Sequence, residues 1–74
     1  MNEKYQELYE EIGVRIKSER EALSWSQADL SRESGIGQPR ISELEAGKKA
    51  MHLTTAMKIS DALQVPLDWL VKGD

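Results

Sequence analysis

The sequence predicts an all-α domain of five helices, and three observations carry that expectation. Between Tyr5 and Leu23, apolar side chains recur at spacings of three, four and seven, the period of a helix with one buried stripe. From Trp25 to Gly47, WSQADLSRESGIGQPRISELEAG, start and stop signals outline two short helices joined by a tight turn. Beyond that turn Ala56, Ile59, Ala62 and Leu63 repeat the helical stripe until Val65-Pro66 breaks it ahead of a last apolar turn.

The first helix carries its stripe on Tyr5, Leu8, Tyr9, Ile12, Ile16 and Leu23, with Gly13 as its one weak point. Arg20 lies four residues after Ile16 and three before Leu23, so its stem points inward with them. Residues 1–11 are acidic. Their tyrosine and leucine side chains either pack back on the domain or meet a second subunit, or the segment is a solvated helical extension.

Ser26 can cap the second helix while Asp29 reaches back to its amide, a capping box, and Trp25 and Leu30 have the spacing of a hydrophobic staple. Gly35 can take the positive φ that follows a helix C-terminus. The third helix should run from Gln38 to Ala46 and stop at Gly47, with Gly37 as a tolerable cap and Pro39 in the first turn, where a missing N–H costs nothing. Neither helix is long enough to stand alone in water, so packing must hold both. Ile41 and Leu44 take its inward face and Glu45, four residues after Ile41, leans the same way. That leaves Gln38, Pro39, Ser42 and Glu43 outward. A fourth helix is expected over Leu53 to Leu63 and a fifth over Leu67 to Val71, in which Trp69 would plug the core.

Seventy-four residues suit one domain, 1–74, with little room for a second core. The absence of cysteine excludes a disulfide framework, and a single histidine, His52, argues against a zinc site. No apolar run is long enough to cross a membrane, and residues 1–11 are too acidic for a signal peptide, so a cytoplasmic protein is expected. No histidine stands beside a nucleophile in a recognisable motif, no glycine-rich loop precedes Lys-Ser or Lys-Thr, and no carboxylate cluster resembles a metal site. The expectation is therefore neither an enzyme nor a cofactor binder. The net charge of −3 resides in residues 1–11; the remainder holds nine acidic and nine basic residues. Any polyanion would have to be met by local clustering of charge.

Gln27, Leu30, Gly35, Ile36, Ile41, Ser42, Glu45 and Gly47 together resemble the motif of the Cro and phage-repressor (XRE-like) helix-turn-helix proteins, Q-x-x-L-x(4)-G-[IV]-x(4)-I-S-x-x-E-x-G. The ending VPLDWLVKG looks like the fifth helix of lambdoid repressor DNA-binding domains. The resemblance implies a compact, lambda-repressor-like domain of five helices. Its helix-turn-helix is formed by helices 2 and 3, and its first helix is extended at the N-terminus by residues 1–11, which the resemblance does not explain. No cofactor is implied.

By resemblance the third helix enters the major groove of double-stranded DNA. Gln38 becomes the first base-contacting position, since a glutamine amide can donate and accept at once, matching N6 and N7 of adenine. Gln27 would brace it while touching a phosphate. Pro39 offers only an apolar face, suited to a thymine methyl; Ser42 completes the row. Glu43 either accepts from cytosine N4 or pairs with Arg40 or a lysine and reads nothing. Arg40 would meet a phosphate, as is more usual near a helix start, or reach a guanine. Lys48 and Lys49 stand in the loop that the family lays along the DNA backbone. The family commonly joins an arginine and a glutamate at the positions of Arg20 and Glu45, which implies a structural salt bridge between them. Relatives often dimerise through the last helix, which implies an interface of Leu67, Leu70 and Val71.

Two functions are thus expected to compete. One is a sequence-specific transcriptional regulator, a dimeric repressor on an inverted-repeat operator, too short to carry the sensing or self-cleaving domain of larger repressors. The other is an antitoxin or protein-binding adaptor whose acidic N-terminal extension holds a basic protein partner.

Overall fold

A computed structural model describes residues 3–73, with side chains from Tyr5 onward. Residues 1, 2 and 74, which complete the expected domain and its acidic extension, lie outside the described residues. The element order is α1 (Glu3–Ala22), α2 (Gln27–Ser34), α3 (Gln38–Glu45), α4 (Leu53–Leu63) and α5 (Leu67–Lys72), the expected five helices.

One core holds them together. Ile12 and Ile16 of α1, Leu30 of α2, Ile36 of the turn, Ile41 and Leu44 of α3, Ile59 and Leu63 of α4, and Leu70 of α5 form a single buried cluster. Helix α1 is the common support, packing against α3, α4 and α5, while α2 rests on α3 and α4. Eight-residue helices such as α2 and α3 depend on this burial, because nucleation alone would leave them unfolded.

The local signals behave as their chemistry requires. Ser26 Oγ accepts from the Asp29 amide at 3.0 Å, and Asp29 Oδ2 accepts from the Ser26 amide at 2.8 Å, closing the capping box. Gly35 ends α2 at φ 76.

The first helix stops at Ala22, and Leu23, expected on its buried stripe, is 44% exposed. Ser24 turns there into the left-handed region at φ 60, which carries the chain away from the core face before α2. Helix α3 ends one residue earlier than expected, at Glu45, and α5 runs one residue further, to Lys72. Trp69 packs half-buried against the core, whose plug from α5 is Leu70 instead.

Residues of the N-terminal extension fold back on the domain. Leu8 and Tyr9 are half-buried against the core, and Gln6 Nε2 donates to the Gly47 carbonyl at 3.3 Å. Gly47, at φ 70, lies so close to α1 that a Cβ there would stand 2.8 Å from the Glu10 Cα. The extension thereby buttresses the end of α3.

The placement of Leu70 corrects one expectation. It is 0% exposed within the single chain, so it has no surface to give to a dimer seam. Helix α5 is docked by its far end: Arg15 Nη1 donates to the Leu70 and Val71 carbonyls, each at 3.1 Å, satisfying groups that a helix C-terminus leaves open. This turns Leu70 inward and leaves Leu67 and Val71 half-buried.

Candidate nucleic-acid interface

Three residues separate α2 from α3, and their polar groups are consumed in holding the turn. Gly35 N donates to the Ser31 carbonyl at 2.9 Å, Ser31 Oγ to the Ile36 carbonyl at 2.5 Å, and Ile36 N to Ser34 Oγ at 3.2 Å. Ile36 fills the core beneath, so the angle between the helices is fixed by packing and hydrogen bonds together.

Helix α3 begins after Gly37, which supplies no capping side chain, with Pro39 in its first turn. Ile41 and Leu44 are buried; Gln38, Pro39 and Ser42 are exposed, and Glu43 and Arg40 half-exposed. The outward row expected from helical spacing therefore does face solvent. Lys48 and Lys49 follow in the exposed loop, beside the end of α3. The Lys48 amide donates to the Glu43 carbonyl at 3.0 Å, and Lys49 Nζ stands 3.9 Å from Glu43 Oε2. Of the partners open to Glu43, a lysine is the one the structure supplies.

Behind this face lies the Arg20–Glu45 bridge. Arg20 Nε donates to Glu45 Oε2 at 2.7 Å and Arg20 Nη2 to Glu45 Oε1 at 2.9 Å, a two-pronged contact joining α1 to α3. Arg20 Nη1 also donates to the Trp25 carbonyl at 2.7 Å, which ties in the entry to α2. The Glu45 side chain is 4% exposed. Its hydrogen bond holds the Arg20 guanidinium above its ordinary pKa despite burial.

Gln27 departs from expectation in one respect. Its Nε2 donates to Glu45 Oε1 at 3.2 Å, so this side chain is tied to the bridge and not to Gln38. Both residues stand out in the sequence, but their link does not. The available signal was a carboxylate forced inward at Glu45, which can accept about four hydrogen bonds while a two-pronged guanidinium contact fills two of them. At the outer edge of α2, Asp29 is held below the ordinary carboxylate range, chiefly by the Ser26 backbone hydrogen bond and then by Arg32.

Among the described residues, no group of three His, Asp or Glu side chains could hold a metal ion, and no helix is long and apolar enough to cross a membrane. What the face offers is a row of amide, hydroxyl and carboxylate groups on a rigid helix, with lysines at its edge. Such a surface suits recognition of another polar edge.

The comparisons with known proteins agree with that geometry. A family model described as Helix-turn-helix matches residues 16–70. The chain belongs to the helix-turn-helix family of the Cro and phage-repressor (XRE-like) type. It is 33% identical to the P22 c2 repressor protein, solved in complex with a synthetic operator, with a TM-score of 0.80 over 85% of this chain and 96% of that one. The restriction-modification controller protein C.AhdI from Aeromonas hydrophila superposes with a TM-score of 0.81 at 26% identity, covering 84% of this chain and 94% of that one. The HTH-type transcriptional regulator for conjugative element SXT of Vibrio cholerae is 35% identical over 63 residues, 85% of this chain and 29% of the relative. An uncharacterized HTH-type transcriptional regulator of Mycobacterium tuberculosis is 35% identical over 57 residues, 77% of this chain and 22% of the relative. The chain thus spans less than a third of the length of these longer regulators.

Proposed function

We propose that this chain binds double-stranded DNA sequence-specifically as a homodimeric repressor, laying α3 of each subunit in the major groove of an inverted-repeat operator. The observation that carries the reading is the outward row of α3, Gln38, Pro39, Ser42 and Glu43, bordered by Lys48 and Lys49 and held rigid from behind by Ile41 and Leu44. In this reading Gln38 pairs with an adenine edge, Pro39 meets a thymine methyl, and Ser42 and Glu43 take neighbouring base edges. Gln27, Arg40, Lys48 and Lys49 position the domain on phosphates.

Dimerisation supplies what a single chain of net charge −3 lacks, a second set of contacts on one duplex. Leu67 and Val71 of α5 remain half-buried, and Val71 lines an apolar groove of about 250 Å³ with Leu8, Tyr9, Met51 and Leu53. Leu53 is 67% exposed, so apolar surface is at hand for a second subunit. To read successive half-sites such a dimer must hold its two α3 helices ~34–36 Å apart, one turn of DNA. Repression then follows from occlusion of a promoter, in the cytoplasm where the operator lies, with no chemistry on the DNA.

Selection from a random duplex pool at near-physiological salt, followed by sequencing, tests the proposal. An enriched inverted repeat supports a dimeric reader. A single enriched half-site removes the dimer, and no enrichment removes the sequence-specific reading in favour of a protein-binding adaptor or antitoxin.

A further inference from the structure

We infer that Glu45 is a positioning residue for DNA binding: it fixes the Gln27 side-chain amide so that an N–H, and not the carbonyl oxygen, is presented to a phosphate. The inference rests on the proposed DNA-binding reading and adds to it a role for a buried residue that touches no DNA.

The Glu45 carboxylate accepts three hydrogen bonds. Oε2 takes Arg20 Nε, while Oε1 takes both Arg20 Nη2 and Gln27 Nε2. An ionised carboxylate has no proton to give, so it can face only the amino end of the glutamine amide. The two ends of such a group differ in little but hydrogen bonding, and a flip about its last torsion would set oxygen against oxygen. With Glu45 charged and 4% exposed, the flipped form is excluded.

Gln27 is the first residue of α2 and is half-exposed, so the side chain spans from the bridge to the surface. Its Nε2 carries two protons. One is committed to Glu45 Oε1, and the second remains as a donor, at the helix end where the backbone dipoles already favour an anion. Without the anchor the same side chain would have to be ordered on binding, and in its flipped form it would turn a carbonyl toward a phosphate oxygen. Ordering one such side chain is worth roughly three- to tenfold in affinity.

The bridge thereby does two things through one carboxylate. Arg20 and Glu45 join α1 to α3, and Glu45 also aligns a side chain of α2, so the tie that packs the domain sets a contact at its surface.

A double-mutant cycle on the full chain separates these roles. Affinity for the duplex enriched from the random pool is measured for wild type, Gln27→Ala, Glu45→Gln and the double variant, at a temperature where circular dichroism shows each one folded. Glu45→Gln is expected to weaken binding roughly three- to tenfold in the wild-type background and less than about twofold once Gln27 is alanine. An equal loss in both backgrounds overturns the inference, since Glu45 would then act through the fold alone. If Gln27→Ala itself leaves affinity unchanged, the phosphate contact of Gln27 falls and the inference falls with it. Should Glu45→Gln fail to fold, proton exchange of the wild-type Gln27 side-chain NH2 decides. Slow exchange and shifted resonances relative to the exposed Gln64 support the anchor; exchange matching Gln64 overturns it.

Discussion

Gly13 of α1 lies against the backbone of Glu45, so close that a Cβ on the glycine would stand 2.5 Å from the Glu45 carbonyl oxygen. The Leu44 carbonyl is at the same distance. A residue that weakens an isolated helix is therefore what allows α1 to reach the end of α3. Gly13→Ala should destabilise the domain, because a backbone oxygen cannot yield as a flexible side chain would. Overpacking costs about 1–3 kcal/mol and offsets the ~1 kcal/mol that alanine gains as a helix former. A lower urea midpoint with an unchanged slope is the expected result; a rise would mean that the helices separate without cost.

Removing one member of the Arg20–Glu45 pair strands the other. With side chains 9% and 4% exposed, the survivor keeps its charge and loses its partner. Glu45→Ala should cost ~3–5 kcal/mol. In a domain of this size that lowers Tm by more than about 10 °C. Thermal unfolding followed by circular dichroism checks this, and an unchanged Tm would mean that the bridge contributes nothing to stability.

The elements legible in the sequence were those whose signals are local. The Ser26–Asp29 capping box, the Gly35 stop and the Ala56–Leu63 stripe each depend on residues a few positions apart. What escaped depends on residues distant in the chain. Gly13 reads as a defect until α3 is laid across it, and Leu70 reads as spare apolar surface until Arg15, 55 residues earlier, caps its helix. In the candidate interface the outward row of α3 followed from the 3.6-residue period alone. The Gln27–Glu45 hydrogen bond did not, since no spacing within one helix encodes it.

Asp29 makes the capping box pH-dependent. Its folded-state pKa lies below its ordinary value, chiefly through the Ser26 amide, so the carboxylate contributes stability above the unfolded pKa and loses it as pH falls through the folded one. Asp29→Ala should accordingly lower the urea midpoint near neutral pH. The difference from wild type should shrink as pH drops through and below the usual aspartate range. A mutant gap that persists in acid would assign the effect to something other than the charged cap.

Base reading and phosphate holding should respond differently to mutation. Gln38→Ala is expected to cost ~1–3 kcal/mol on the enriched duplex and to relax one base position. Lys48→Ala should instead weaken all sequences alike and flatten the salt slope by about one unit. Titrations against the enriched duplex and mixed-sequence DNA at several salt concentrations separate the two. If Gln38→Ala weakened both DNAs equally, Gln38 would not be a base reader.

Glu43 and Lys49 are held to each other in the free protein, although the proposed interface asks one to face a base and the other a phosphate. Both side chains are about half exposed, so the pair is worth only ~0.2–1 kcal/mol and can be exchanged for DNA contacts. In the proposed reading the carboxylate is satisfied, and Lys49 released, only in registers that place a cytosine amino group opposite it; in the other registers of mixed-sequence DNA it would repel the backbone and keep Lys49 occupied. Glu43→Gln should therefore raise affinity for mixed-sequence DNA several-fold and reduce discrimination at one base pair. Parallel titrations of both DNAs, with the selection repeated on the variant, measure the two effects. A variant that binds both DNAs as wild type does would place Glu43 outside the interface.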